Sequence, residues 1–82
     1  MFNIIEKYIG KLTKEDIAKF ASSKGANLSS DELDFTYSFI KRNWQDVIKN
    51  PNLFDIDRYE SHFSPSNFQK IKQIYNEYRT YL

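Results

Sequence analysis

The chain has no cysteine. It can form no disulfide and hold no thiolate zinc site, so its stability must come from packing. Glycine and proline are also scarce, at two each among 82 residues, and each marks a place where the backbone must turn or stop. Histidine occurs only at His62. One histidine makes no paired-histidine metal motif, and two isolated glycines make neither a phosphate-binding loop nor a nucleophile elbow. Neither sign of charge dominates. The net charge of +1 lacks the strongly basic balance of a surface that seeks nucleic acid. No apolar run approaches the roughly 20 residues of a membrane-spanning helix. The opening Met-Phe-Asn-Ile-Ile-Glu-Lys brings an acid too early and an apolar stretch too short for a secretory signal. These absences lead to the expectation of a soluble, cytoplasmic protein with no membrane, no metal and no cofactor.

What the chain has in quantity is rings: seven Phe, six Tyr and one Trp. A chain this short forms one domain and can bury roughly 60–65% of its unfolded surface. Large rings bury much area per residue and help such a domain fold without staples. The charges are unevenly spread. Residues 1–24 carry five Lys and three acids, residues 25–63 four bases and seven acids, and residues 64–82 three bases and one acid. Basic ends and an acidic middle attract one another within a fold.

Three segments repeat one helix-opening signal. They are Leu12-Thr13-Lys14-Glu15-Asp16-Ile17, Leu28-Ser29-Ser30-Asp31-Glu32-Leu33 and Phe63-Ser64-Pro65-Ser66-Asn67-Phe68. In each, a hydroxyl caps free N–H groups of the first turn, a polar residue three positions on reaches back, and flanking apolar residues form a staple. The third copy carries Asn67 in place of an acid, a weaker box, but has Pro65 at the first helical position, where its missing N–H costs nothing. Gly10 and Gly25 stand where helices can end in left-handed caps. Asn50-Pro51 forbids continuation of a helix. The spacing predicts five helices, over about 2–10, 14–24, 30–49, 53–62 and 65–81, the fourth with an irregular start. No stretch alternates with period two. The fold class expected is all-α, a compact single-domain bundle with a long central third helix.

At 100° per residue, Leu33, Tyr37, Ile40, Trp44, Val47 and Ile48 form one stripe of that third helix. Phe35 and Phe39 lie one turn apart on another flank, near Arg42 and Asp46. The last helix gathers Phe68, Ile71, Ile74, Tyr75, Tyr78, Tyr81 and Leu82 on one broad face. The expected core is Ile5, Ile9, Ile17, Phe20, Leu33, Tyr37, Ile40, Trp44, Val47, Phe68, Ile71, Tyr75 and Tyr78. The last helix is expected to cover Phe35 and Phe39; were it to dock beside Trp44, these rings and Arg42 would be a partner surface.

Catalysis needs convergent titratable groups, and His62 has no evident companions. It reads as a dipole partner at a helix C-terminus. Asp55 and Asp57, with Glu60 close by, alternate as at the start of a calcium loop, but the glycine and the terminal glutamate of that motif are missing. The segments 14–24 and 30–49 resemble a helix-turn-helix in outline. Yet the would-be recognition helix opens Ser30-Asp31-Glu32-Leu33-Asp34, which phosphates would repel. The expected function is therefore that of a non-enzymatic protein–protein interaction module, meeting an unknown protein partner or a second copy of itself. The alternative is nucleic-acid binding through Lys41, Arg42, Lys49, Lys72 and Arg79.

The string Asn-Ile-Ile…Leu-Thr-Lys-Glu-Asp-Ile-Ala-Lys-Phe-Ala…Gly…Leu-Ser-Ser-Asp-Glu-Leu resembles a YqfT-like family of short all-helical proteins, a domain of unknown function in low-GC Gram-positive bacteria. The resemblance covers most of residues 3–49. It implies an all-helical fold and carries no activity and no site residues.

The caps make a specific demand. Ser29→Ala is expected to destabilise the domain by about 1 kcal/mol, measured by chemical denaturation.

Overall fold

The computed structural model describes residues 3–79. It contains four α-helices: α1 (Asn3–Lys11), α2 (Lys14–Ser23), α3 (Ser30–Lys49) and α4 (Pro65–Tyr78). A 3-10 segment, Ile56–His62, lies between α3 and α4. No strand is present among the described residues. The chain is an all-α bundle built on α3: α1 and α2 pack against it, and α4 packs on the 3-10 segment. The radius of gyration, 12.3 Å, is close to the roughly 12 Å of a single compact domain of this length.

The caps do what their residues dictate. Thr13 opens α2 with a complete capping box: its N–H donates to Asp16 Oδ2 at 3.0 Å, and the Asp16 N–H donates to Thr13 Oγ1 at 3.1 Å. Gly25 follows α2 at φ +90°, a conformation other residues avoid. The Gly25 N–H donates to the Ser22 carbonyl and the Ala26 N–H to the Ala21 carbonyl, the Schellman pattern, with Ala21 and Ala26 buried together. Ser29 and Glu32 form the second complete box, and α3 stops at Lys49, two residues before Pro51. Ser64 caps α4, with Pro65 in its first turn.

Glu32 does more than close its own box. Only 6% exposed, its carboxylate accepts the Ser29 N–H on Oε1 and the Ser64 N–H on Oε2, each at 2.7 Å. Asn67 Nδ2 adds a third hydrogen bond to Oε1 at 2.8 Å and also donates to the Asn27 carbonyl. The acid missing from the third helix-opening segment is thus supplied by α3. One carboxylate closes the N-terminal turns of two helices.

Several expectations are corrected. Gly10 does not end α1; the helix runs on to Lys11, and Gly25 alone among the described residues has positive φ. The Lys41 ammonium donates to the Ile9 and Gly10 carbonyls, so α1 needs no left-handed cap. The fourth helix starts at Ile56 rather than 53 and is wound as a 3-10 helix. Asp55 caps it, accepting the Asp57 N–H at 3.1 Å, which tightens the turn that follows Pro51. Of the expected core, Ile17 and Phe68 are buried, but Ile5, Phe20 and Tyr78 are exposed. α4 packs on the 3-10 segment, which leaves the Phe20–Tyr78 pair at the surface, while Ile5 lies on α1, which packs on α3. The expectations at residue 2 and at residues 80–82 lie outside the described residues.

Burial is the largest single influence on the Glu32 carboxyl and pushes it up. The backbone N–H groups of Ser29 and Ser64 and the Asn67 amide together outweigh it, and the net direction is below the ordinary carboxylate value. A carboxyl lowered by folding stabilises above its unfolded value and loses that contribution as pH falls through the folded one. Wild-type stability is therefore expected to drop below about pH 4. Glu32→Ala is expected to cost about 3 kcal/mol at neutral pH, and its denaturation midpoint should fall less steeply with acid than that of the wild type.

Candidate functional site

Rings crowd the space between α3 and the 3-10 segment. Phe35 stacks on His62, ring centroids 3.9 Å apart and planes within 8°. Phe63 meets Phe35 edge-on at 5.8 Å, and Tyr59 meets Phe39 edge-on at 4.9 Å. Phe54 lies 5.4 Å from Phe39 and 5.1 Å from Tyr75 of α4. Phe35 and Phe39 are half-buried. The last helix was expected to cover them, but the 3-10 segment and the residues before it do so, because Pro51 turns the chain back along α3. Arg42 is exposed beside this flank.

Held off α3 by this aromatic layer, α4 roofs over two adjoining apolar chambers, each of about 350 Å³. Ile17, Phe20, Ala21 and Leu28 wall the first from the α2 side, Phe35, Phe39 and Ile40 from α3, Tyr59 and Phe63 from the 3-10 region, and Ile71 and Ile74 from α4. Trp44, Val47, Ile48, Phe54, Tyr78 and Arg79 line the second. Phe20, in the wall of both chambers, and Tyr78, in that of the second, meet edge-on at 5.8 Å and remain 45% and 40% exposed, so the apolar wall reaches the surface there. The ends of α4 are tied down by Glu32 and Asn67 on one side. On the other, the Tyr75 hydroxyl donates to the Pro51 carbonyl at 3.2 Å and Arg79 to Asn52 Oδ1 at 3.0 Å.

The polar groups in this wall serve the helices. Asp16 holds the Thr13 N–H, and the Thr36 hydroxyl donates to the Glu32 carbonyl at 2.8 Å. Among the described residues no group of three or more His, Asp or Glu is placed to hold a metal ion. Asp55 is a helix cap and Asp57 pairs with Lys72 at 2.7 Å. His62 ends the 3-10 segment, exposed, with its ring flat against Phe35.

The five basic residues of the alternative reading are dispersed. Lys41 is half-buried, closing the end of α1 and lying 5.4 Å over the Tyr37 ring. Lys72 is neutralised by Asp57, while Arg79 lies 5.7 Å over the Tyr75 ring in the chamber wall. Arg42 and Lys49 remain on the exposed side of α3. The chambers themselves were not foreseen. Periodicity marks Phe20 and Tyr78 as apolar-face residues, and the same pattern describes a filled core and a hollow one.

No family model, curated protein or solved structure matches the chain, so the reading of the site rests on its own geometry.

Because Phe35 is half-buried, Phe35→Ala is expected to cost about 2 kcal/mol, less than the roughly 3–5 of a fully buried ring, measured by chemical denaturation.

Proposed function

We propose that this chain is a non-enzymatic interaction module that works by taking an apolar group of a partner into the double chamber. The nature of the wall supports this reading: rings and aliphatic chains from α2, α3, the 3-10 segment and α4 converge on it, and exposed rings flank its opening. An apolar group entering it leaves water, with roughly 25 cal/mol gained per Å² buried. Catalysis would need titratable groups aimed inward. Asp16 and Thr36 are instead occupied within their own helices.

Contact with a protein is supported by the same exposed Phe20 and Tyr78, since aromatic residues are enriched at interfaces. The outer face of α1 adds to it: Ile4 and Tyr8, one turn apart, are 71% and 76% exposed, with Lys7 and Lys11 beside them. Nucleic-acid binding is the weaker reading. It needs cations along one track, and Lys41 holds the α1 carbonyls while Lys72 pairs with Asp57 at the surface.

Titration with the neutral fluorophore N-phenylnaphthylamine tests the chamber. Saturable binding of one probe per chain is expected, and Ile40→Trp, which enlarges one of the side chains shared by both chambers, should weaken it. Absence of saturable binding by the folded wild type would refute the reading.

A further inference from the structure

The two chambers share Phe20, Phe39, Ile40, Ile74 and Tyr75 and so form one trough, from Ile17 and Leu28 at one end to Arg79 at the other. Their size lies within the range of small-molecule sites, roughly 300–1,000 Å³. A flexible chain of methylenes can follow a trough walled from end to end by rings and aliphatic side chains.

The trough is electrically uneven. Arg79 is the one cation among the described residues that line it. Its guanidinium donates to the neutral amide oxygen of Asn52 at 3.0 Å. A planar fork of five N–H donors can serve a carboxylate as well. At the far end stands the Asp16 carboxylate, which would repel a second anion. An anionic head is thereby directed to Arg79.

We propose that the trough binds a single-chain carboxylate amphiphile, a free fatty acid in its chemistry. The carboxylate sits on Arg79, and the alkyl chain runs past Ile40 and Ile74 toward Ile17. This assignment rests on the chamber being the working site, and the experiment separates the two.

Dodecanoate and dodecanol are titrated at neutral pH against the full chain loaded with N-phenylnaphthylamine. Dodecanoate should displace the probe at about tenfold lower concentration, the value of one charge-assisted hydrogen bond of the usual strength. Arg79→Gln, with helicity checked by circular dichroism, should bring the ratio of the two displacement concentrations close to one. Equal displacement by the two ligands, or a preference that survives in Arg79→Gln, overturns the carboxylate assignment while the apolar chamber stands. A probe that never binds overturns both.

Discussion

The fold depends on the Glu32 carboxylate. Buried charge is costly, and here it is offset by three hydrogen-bond donors from two places distant in sequence. Two of them are backbone N–H groups at the cap positions of α3 and α4, each of which would otherwise be orphaned. The same oxygens fix where α3 begins and where α4 begins, and so set the spacing between the two helices. Asn67 completes the arrangement by linking Glu32 to the Asn27 carbonyl in the turn after α2. Three helices meet at one side chain.

That anchor and the Tyr75 and Arg79 contacts at the opposite end hold α4 over the 3-10 segment, with the Lys72–Asp57 pair between them. The 3-10 segment pushes Tyr59, His62 and Phe63 into the layer where the last helix might have packed. By the usual scaling of about 24 cal/mol per Å³, a closed dry void of the size of one chamber, 350 Å³, would cost ~8 kcal/mol. That rivals the whole stability of a small domain, roughly 5–15 kcal/mol. The fold tolerates the space because it is open to the surface and because both ends of its roof are tied. An apolar occupant would then add to stability by binding only the folded chain. Ion pairs such as Lys14–Asp34, at 2.7 Å but exposed on both sides, contribute little beside this.

The local signals were legible. Thr13, Ser29 and Ser64 start helices because a hydroxyl beside free N–H groups needs no distant partner, and Gly25 and Pro51 stop them through their own backbone limits. Gly10 misled for the same reason. A glycine permits a cap without requiring one, and the Lys41 ammonium, distant in sequence, satisfied the carbonyls first. The candidate site was less legible. Phe35 and Phe39 could be recognised as a second apolar flank, but what covers them depends on where Pro51 sends the chain. The basic residues looked alike in sequence; which face solvent was settled by partners such as Asp57 and the α1 carbonyls.

The sequence by itself determined that the protein is all-α, where α2, α3 and α4 begin, and that rings would supply much of the apolar surface. These follow from interactions within one turn of chain. The tertiary structure alone decided that Glu32 serves two helices, that the 3-10 segment rather than the last helix covers Phe35, and that α4 stands over an open apolar trough. Hydrophobic periodicity states which face a helix turns inward and not how far its neighbour stands from it. That distance is set by the bulk of the rings between α3 and α4 and by the hydrogen bonds at the ends of α4.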